Sequence, residues 1–549
     1  MIKDVPSLIK WDVLKYQMKL TVLTSRLVMY DTFEMKLGDR SNNFSSFFIS
    51  RQFSSIVLIL LLSFLLILSF SPFSSFPVTN AEQSSCVKYK PQHRLIEVTC
   101  KKANLSYIEN ELTANKNKGL LSKDSEKGVW MLNANLTISN SSAFYINSSD
   151  TSWLKIISDG KTAYSINVFG SLSINSVKIT SWNPATDNYL VNKRDETVPR
   201  PFIKVEAKAT GHTNIVDSEI AYMGYEQGHS LSNSGISYYG GNGSLVRSNN
   251  IHDMRVGFYS SGIQGLMLEN NTVHHNYHYG IDPHTGSNHL IIRNNTVYRN
   301  GEEGIICSLD CYGIVIENNE VYGNSEAGVL FSRNMYNSTA RNNNVHDESI
   351  GIFLSASNHN SIYNNTITNC NNGIYLKDNS SYNSVYYNAV IKAKTAALHL
   401  SSGASGNYIH SNNIERSDGS GISVEDQATS NNRIIANKIV NSIDGIRIYD
   451  NRDTTFISNR LKDIKIHDYT VGKNSILNLV STKFSDDKIE SEDTLTRDNS
   501  SKVSISKSGI ISIKGSDQAD IKKYNTDKSA MTFYLDKKHN SDAVTINSL

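Results

Sequence analysis

Proline and charge are both scarce in this sequence. Only 8 prolines occur in 549 residues, so the composition is not that of a proline-rich disordered chain. Charged residues make up 19% of the chain and the formal net charge is +2, which gives no broad electrostatic basis for binding nucleic acid. The polar content consists instead of Asn, Ser, Thr and Tyr, together with Gly. A folded protein with a nearly neutral, polar surface is therefore expected.

Cysteine is scarce too, with five residues in the whole chain: Cys86, Cys100, Cys307, Cys311 and Cys370. The Cys307-x3-Cys311 spacing has no further Cys or His at ligand spacing, so no zinc site is assigned. Cys86 and Cys100 form a plausible disulfide if the chain is exported. Cys307 and Cys311 either pair with each other or pack in the core.

One long hydrophobic run, residues 54–73, contains no charge and follows Lys36, Arg40 and Arg51. A basic flank, an apolar run and a small-residue exit ending at Ala81 indicate a secretory signal. The length of the run also suits a short membrane anchor. The predicted location is therefore secreted, periplasmic or at the cell surface, with membrane contact only through this segment.

The strongest internal signal is a repeat of about 22 to 24 residues. Each period carries a Gly followed by an apolar residue, and an Asn-Asn pair recurs in phase with it. Such a period predicts one coil of two or three short strands, with successive coils pairing in parallel about 4.8 Å apart. Gly and Asn tolerate the left-handed backbone of tight turns, and stacked Asn side chains can bond along the ladder. The glycines are Gly257, Gly280, Gly304, Gly328, Gly351, Gly373, Gly421 and Gly445, and the first Asn of each pair is Asn270, Asn294, Asn318, Asn342, Asn364 or Asn412.

The predicted fold class is therefore all-β, a right-handed parallel β-helix of the pectate-lyase-like type. Residues 1–81 form an N-terminal extension with the signal or anchor, and 82–127 a capping segment. The β-helix spans 128–469. Residues 470–549, rich in Lys, Asp and Ser, form a capping or partly ordered β-rich tail.

One coil differs from the others, because it carries the motif Tyr-Gly-Ile-Asp-Pro-His at residues 279–284. Strand alternation places Asp282 and His284 on one outward face if Ile281 points into the core. Pro283 removes a ladder donor, which indicates a purposeful local distortion. The corresponding residues of the next coils are neutral: Ile306 and Ser308, then Leu330 and Ser332.

The same register sets a polar groove beside the motif. Tyr259 and Ser261 occupy the preceding coil, Tyr239 the one before it, and Arg333 lies just past the outward Ser332. Tyr, Asp, His and Arg together suit removal of a proton from a carbon next to a carboxylate, a reaction that requires the carboxylate charge to be neutralised. Considered alone, an exposed Asp and His in a turn would be unremarkable. The run His274-His275-Asn276-Tyr277-His278 is assigned no metal, since neighbours in a strand face opposite ways.

At this motif the sequence resembles the mannuronan C5-epimerases of alginate metabolism. The stretch Tyr-Gly-Ile-Asp-Pro-His-Thr-Gly-Ser at 279–287, with Gly-Phe-Tyr-Ser at 257–260 and Asn-Thr-Val-Tyr at 295–298, follows the periplasmic members closely. The resemblance covers about 210–460, including the coil spacing.

The resemblance implies that β-1,4-linked mannuronate in a polyuronate chain is converted to guluronate by removal and return of the C5 proton. It implies that His284 and Tyr279 are the base and acid, in an order left open. Asp282 would contact the substrate carboxylate and Arg333 would neutralise it. The register adds Tyr259, Tyr239 and Ser261 as candidates for substrate binding. Together with Arg333 they form the predicted substrate-binding set.

The sequence departs from the family pattern in two places. The periplasmic epimerases carry an Arg one coil after the motif, and residues 304–310 contain none; Arg333 lies one coil further on. The calcium-dependent secreted epimerases have an Arg-His pair where Glu326 and Ala327 stand. These departures leave altered substrate preference and loss of activity both open.

Two alternatives remain beside the epimerase. A polysaccharide lyase of the same superfamily shares the proton removal and then expels the C4 oxygen. A carbohydrate-binding or copper-accessory periplasmic β-helix would have no catalytic role. The expected partner is an acidic, alginate-like polysaccharide, not nucleic acid, and a monomer is expected. No cofactor is predicted, and Ca²⁺ has no clear site in the sequence.

Overall fold

The computed structural model describes residues 85–191, 196–227 and 231–471, and the backbone of short strands between 476 and 547. Within this part of the chain, no helix is long and apolar enough to cross a membrane. The predicted signal or anchor at 54–73 lies outside the described residues.

The chain forms a right-handed parallel β-helix, which confirms the predicted fold class. Three sheets, here called A, B and C, follow one another around each coil. Sheet A contains Val87–Lys90, Leu95–Val98, Asn135–Ile138, Ser165–Val168, Phe202–Val205, Gly235–Tyr238, Val256–Ser261, Ile281–His284, Ile305–Ser308, Ala327–Ser332, Ile350–Ser355, Asn372–Lys377, Ala396–Leu400, Ser420–Glu425, Asp444–Tyr449, His467–Val471 and Leu495–Thr496. Sheet B contains Ala103–Asn104, Ala143–Asn147, Ser171–Asn175, Thr213–Val216, Leu245–Arg247, Met267–Glu269, Ile291–Arg293, Val315–Glu317, Thr339–Arg341, Ser361–Tyr363, Ser384–Tyr386, Tyr408–His410, Arg433–Ile435, Thr455–Ile457, Ile476–Val480, Lys502–Ile505 and Ile511–Lys514. Sheet C contains Leu121–Lys123, Val129–Leu132, Trp153–Ile157, Lys178–Trp182, Glu219–Ala221, Asn250–His252, Thr272–His274, Thr296–Tyr298, Glu320–Tyr322, Asn344–His346, Thr366–Thr368, Ala389–Ile391, Asn413–Glu415, Lys438–Val440 and Arg460–Lys462.

The ends of the described chain depart from this parallel pattern. Val87–Lys90 pairs antiparallel with Leu95–Val98, and the one α-helix of the described residues, Leu105–Ala114, follows. Short 3₁₀ turns lie at Pro91–His93 and Leu231–Asn233. A separate antiparallel sheet contains Ile521–Asp527, Ala530–Lys537 and Asn540–Asn547. The domain boundaries drawn from the sequence stay predictions.

The coil length is regular only in the second half of the β-helix. Ile281 pairs with Ile305 and Ile305 with Val329, which gives the predicted 24-residue coils. In the early coils, by contrast, Leu136 pairs with Ile166 and Ile166 with Ile203, so those coils span 30 and 37 residues. The additional residues lie in loops, and the periodicity of the sequence is correspondingly weak there.

The recurring glycines serve a different purpose from the predicted one. Gly257, Gly280 and Gly304 do not have the left-handed backbone expected of them. A side chain on Gly280 would lie 2.6 Å from the carbonyl oxygen of Gly304 in the next coil, and one on Gly304 would lie 2.8 Å from that of Gly328. Glycine is required because the coils approach closely, not because the turn is left-handed.

The Asn pairs confirm both predictions made for them. The first residue of five of the six pairs is left-handed, as at Asn270 and Asn294, with φ of 57° and 55°. In the last pair Ser411 is left-handed instead, and Asn412 takes the ladder position. The second residue turns inward, and its side-chain amide donates to the oxygen of the next one. Asn271 donates to Asn295, and Asn295 to Asn319, each at 3.0 Å. Buried polar side chains thus satisfy one another from coil to coil.

The core is one continuous apolar column inside the coils. Cys86 and Cys100 form the predicted disulfide. Cys307, Cys311 and Cys370 are free and buried, so the two alternatives left open for Cys307 and Cys311 are decided in favour of packing.

A second Asn ladder ends on a carboxyl group, and this ending makes stability depend on pH. Asn324 donates to Glu348 at 2.7 Å, the other Glu348 oxygen has no partner, and burial raises the pKa of this carboxyl to about 8. The folded state therefore holds a proton that the unfolded state loses above pH 4.5, and stability falls as pH rises between 4.5 and about 8.

We expect Glu348→Gln to unfold like the parent below pH 4.5. Above pH 8 it should gain ~2 kcal/mol or more in the free energy of unfolding, since one pKa unit corresponds to about 1.4 kcal/mol. Thermal unfolding of both proteins across this pH range measures the difference. A difference that does not vary with pH would contradict the assignment.

Candidate active site

The distinctive coil places its motif on the outward row of sheet A. Tyr259 pairs with Asp282 and Ser261 with His284, as the sequence register predicts. On the other side, Ile281 pairs with Ile305 and the next paired residue is His284. The interruption falls at Asp282 and Pro283, because proline has no N–H to donate.

Asp282 differs from the prediction in one respect, its exposure. Its side chain follows the outward row, yet it is 0% exposed, and neither carboxyl oxygen has a hydrogen-bond partner. Burial raises the pKa of Asp282 well above its usual value, nearby Arg333 opposes this shift, and Glu303 and Glu302 reinforce it. An unpaired buried carboxylate would be very costly, so the fold favours the neutral, protonated form of Asp282.

His284 is a neutral base in this setting. Burial and then Arg333 lower its pKa to about 4. Nδ1 lies 2.5 Å from Oγ1 of Thr285, and Nε2 lies 3.1 Å from Nη2 of Arg333. Because a guanidinium can only donate, Nε2 accepts, and the single proton of the neutral ring is on Nδ1.

Arg333 reaches the motif although it belongs to a later coil. It follows Ser332, which stacks on Ser308, and Ser308 stacks on His284. Its Nε donates to Oγ of Ser308 at 2.7 Å on the way. The long side chain therefore spans two coils, a distance of about 10 Å at 4.8 Å per coil. Arg333 therefore contacts the motif, although it lies two coils after it in the sequence.

The predicted substrate-binding tyrosines extend this group toward the N-terminal coils. The rings of Tyr239 and Tyr259 lie 5.8 Å apart, and the Tyr259 ring is 5.8 Å from that of His284. Burial raises the pKa of both phenols. Lys204 Nζ stands 5.4 Å from the Tyr239 ring centre. The structure thus brings the predicted site residues together.

Tyr279 lies at the other side of Asp282, before the strand. Its ring packs on the small apolar cluster of Ile306, Ala327 and Leu330. Burial, and then the nearby Glu302 carboxylate, raises the pKa of its phenol. The phenol stays protonated and can act as an acid.

Two carboxylates beside the motif escaped the sequence analysis. Glu302 and Glu303 come one coil after Tyr279, just before Gly304. Burial, then the neighbouring Glu326, raises the pKa of Glu303 to about 7. Nothing in a Glu-Glu pair before a repeat glycine signals a site. Only the stacking of coils shows that these groups face Tyr279.

Metal binding has no evident basis in the described ranges. No group of three or more His, Cys, Asp or Glu side chains there could hold a metal ion. The turn histidines pair with other groups: His274 Nδ1 lies 2.7 Å from His275 Nδ1, and His278 contacts two glutamates.

Comparison with known proteins supports the fold more than the activity. A family model described as periplasmic copper-binding protein (NosD) matches residues 205–397, which is less than half of the chain. None of the curated proteins matches. The crystal structure of the periplasmic alginate epimerase AlgG is similar with a TM-score of 0.52 and 21% identity, covering 66% of this chain and 85% of that chain. A mutant form of AlgG gives a TM-score of 0.53 and 20% identity with the same coverage. At such identities the similarity is evidence for the fold alone.

Proposed function

We propose that this protein is a polyuronate C5-epimerase that converts mannuronate to guluronate residues within a chain. The observation that carries the proposal is the fully buried carboxyl group of Asp282, which has no hydrogen-bond partner and lies between His284 and Tyr279. Epimerisation requires these three elements: a group that neutralises the substrate carboxylate, a base and an acid.

Asp282 and Arg333 have complementary roles in binding the substrate carboxylate. Asp282 donates its proton into a hydrogen bond with that carboxylate, and Arg333 supplies a full positive charge. Together they offset the negative charge that grows as the C5 proton leaves. Asp282 is fully covered in the empty groove, so the substrate must displace a side chain above it. Among the charged groups near Asp282, Arg333 has the largest effect on the pKa of the Asp282 carboxyl.

Binding of substrate also activates His284. Arg333 donates to the Nε2 lone pair of His284. A substrate carboxylate competes for the guanidinium, because a charge-assisted bond to a carboxylate is stronger than one to a neutral ring. Nε2 is then free to take the C5 proton, and Tyr279 returns one to the other face of the carbon.

The partner in this proposal is an acidic, alginate-like polysaccharide, and the location is periplasmic or otherwise outside the cytoplasm. The proposed partner agrees with the substrate named for AlgG, and the proposed location agrees with the periplasmic descriptions of AlgG and of the matching family model. The resemblance of the motif at 279–284 adds independent support from the sequence.

Incubation of the protein with polymannuronate in deuterated water, followed by proton NMR, tests the proposal. We expect deuterium at C5 and new guluronate signals. An unsaturated product, seen by its ultraviolet absorbance, would identify a lyase instead. Absence of both on every uronate polymer tried would overturn the enzymatic proposal and favour a surface protein.

A copper-related role is the second candidate, because the family model that matches residues 205–397 is described as copper-binding. Calorimetric titration of the protein with Cu²⁺ and Cu⁺ tests it. Tight stoichiometric binding together with no action on polyuronates would favour this candidate over the epimerase.

Arg333 provides a separate prediction within the proposed function. We expect Arg333→Ala to raise KM and to lower kcat, by about tenfold or more each, since the cation helps both the bound substrate and the transition state. Arg333→Lys should recover only part, because an ammonium on a shorter reach cannot serve Ser308 and the substrate together. Steady-state kinetics on both variants supply the measurement. Unchanged constants in Arg333→Ala would exclude the residue from the site.

A further inference from the structure

A pocket of about 400 Å³ lies at the corner where the chain leaves sheet C on its way to sheet A. Ligand sites in proteins have volumes of roughly 300–1,000 Å³, so the pocket is large enough for a small ligand. It lies outside the row of sheet A that carries the candidate active site. Its walls include Arg200, Tyr222, His275, Tyr277 and Arg299.

The pocket is open because one corner residue has no side chain. Each corner residue directly follows a strand of sheet C and has a left-handed backbone, and in one coil this residue is Gly323, with φ of 63°. A Cβ on Gly323 would meet only Cγ of Arg299, at 3.9 Å, so the space beside Arg299 is empty. Corners of other coils carry side chains at φ between 51° and 58°, namely His275, Arg299, Asp347, Asn369, Lys392 and Arg416.

A second set of small residues widens the same pocket. Tyr277 lies three residues after its sheet C strand, and the equivalent residues of the next two coils are Gly301 and Ser325. Glycine is required at 301, because a Cβ there would lie 1.8 Å from the carbonyl oxygen of Tyr277. The Tyr277 ring is 37% exposed and lines the pocket beside these small residues.

Buried positive charge is built into the wall of the pocket. Arg200 is buried, and its Nε and Nη1 donate to the backbone carbonyls of Gly224 and Asp253 at 2.7 and 3.1 Å. Burial lowers the pKa of Arg200 to about 10, so the guanidinium stays charged at neutral pH. The carboxylate of Asp253, which also lines the pocket, lies 2.8 Å from Nδ1 of His252.

Arg299 is the exposed cation of the pocket. On sheet B, by contrast, Arg293 and Arg341 pair with Glu269 and Glu317 at 2.7 and 2.6 Å. Among the described residues, no carboxylate lies within ion-pair distance of Arg299. Its guanidinium is therefore available to an anion that enters the pocket.

We propose that this corner pocket is a second polyuronate-binding site, in which Arg299 binds the carboxylate of one uronate unit and the sugar packs against Tyr277. The inference rests on the proposed polyuronate substrate and adds a site outside the groove. A charge-assisted bond between arginine and a carboxylate is strong, and an aromatic wall suits the apolar face of a sugar. Arg200 adds a fixed positive charge. His275 is a wall residue, since its Nδ1 is engaged with that of His274 at 2.7 Å.

The chain offers a matched control for Arg299 at a later corner. Arg416 directly follows its sheet C strand in the same way, is exposed and has φ of 56°, against 51° for Arg299. Lys392 and Asn441 occupy the corners on either side of it, so no glycine opens a pocket there. Arg416→Ala therefore removes the same charge from the same backbone position without altering the pocket.

Gly323→Asn is the complementary variant. Asparagine tolerates the left-handed backbone of this corner. Its side chain would occupy the space beside Arg299, while every charged group of the pocket stays in place. Loss of binding in this variant would therefore report the cavity and not the net charge of the protein.

Calorimetric titration of the full chain with a mannuronate trisaccharide tests the inference. We expect the parent to bind two equivalents, one in the groove and one in the pocket. Arg299→Ala should weaken the pocket equivalent by about tenfold or more, the scale of one charged hydrogen bond. Gly323→Asn should abolish that equivalent, whereas Arg416→Ala should match the parent. Arg333→Ala should weaken only the groove equivalent, and mannotriose, which has no carboxylates, should leave the pocket empty.

The outcomes separate this inference from the proposed function. Unchanged binding in both Arg299→Ala and Gly323→Asn overturns the pocket and leaves the groove assignment intact. An equal loss in Arg416→Ala also overturns it, as does acetate binding to the pocket as tightly as the trisaccharide, because either result would mean attraction of anions without recognition of the sugar. Pocket binding in a parent that does not epimerise polymannuronate supports the pocket and contradicts the enzymatic proposal. A parent that binds no uronate overturns both.

Discussion

Removal of either end of the proton path should reduce turnover by about 10²- to 10⁴-fold while leaving polymer binding nearly intact. The variants are His284→Gln and Tyr279→Phe. The first removes the neutral nitrogen that faces Arg333. The second removes only the hydroxyl near Glu302, while the ring keeps its packing on Ile306 and Leu330. Deuterium incorporation at C5 measures turnover, and calorimetry with the polymer measures binding.

The two variants should also fail in different ways. His284→Gln should block exchange of the C5 proton, because no base is left to take it. Tyr279→Phe should still allow some removal of that proton and its return to the original face, so washout from deuterated substrate without inversion is expected. His275→Ala, in the preceding turn, should behave like the parent. Full activity of the double variant would exclude both residues.

The pH dependence of the parent should complement these losses. Burial, and then Arg333, lower the pKa of His284 to about 4, so the base is already unprotonated at mildly acid pH. Activity should therefore persist well below the range in which an ordinary histidine becomes protonated. A pH profile of kcat/KM reports groups of the free enzyme and is the appropriate measurement.

The repeat was predictable because it is a local, periodic signal. Gly before an apolar residue and Asn at the corner recur at the coil spacing, and both reflect constraints that act at every coil. The reason for the glycines was nevertheless predicted wrongly, since the approach of Gly304 to the Gly328 carbonyl is a contact between coils. The lengths of the early coils could not be predicted from periodicity either, because their loops have no common length.

The candidate site, like the fold, was predictable where it follows from strand stacking and unpredictable where it depends on side-chain conformation. Strand alternation and register gave the row of Tyr259, Asp282 and His284 correctly, since both follow from the geometry of a stacked strand. The reach of Arg333 across two coils, the burial of Asp282 and the proximity of Glu302 to Tyr279 depend on side-chain conformation. Sequence spacing contains no information of that kind.

Asp282 gives the second large effect, in which activity and stability should change in opposite directions. Asp282→Asn keeps the size of the side chain and its ability to donate a hydrogen bond, but it has no proton to share with the substrate carboxylate. We expect turnover to fall by about 10²-fold or more. Loss of neutralisation, and not of packing, is the cause.

The same substitution should raise the free energy of unfolding at neutral pH. In the parent, the folded state must keep Asp282 protonated, whereas the unfolded chain loses that proton above its usual pKa of 3.8. The folded pKa is raised, so stability falls as pH rises from 3.8 toward the folded value, and an asparagine is exempt from this loss. The gain should be ~1–3 kcal/mol, the scale of an unsatisfied buried polar group, and should vanish below pH 3.8.

Denaturant unfolding of parent and Asp282→Asn at two pH values measures this gain. Asn319, whose amide is hydrogen-bonded in the Asn ladder, is the matched comparison. Asn319→Asp should destabilise the protein at neutral pH, because it places a charge where an amide donor is required. If Asp282→Asn were as unstable as Asn319→Asp, Asp282 would be a structural residue with partners of its own. A stabilised but inactive Asp282→Asn is instead what a buried, unpaired catalytic carboxyl predicts, because a site that holds such a group ready for substrate lowers the stability of the fold that contains it.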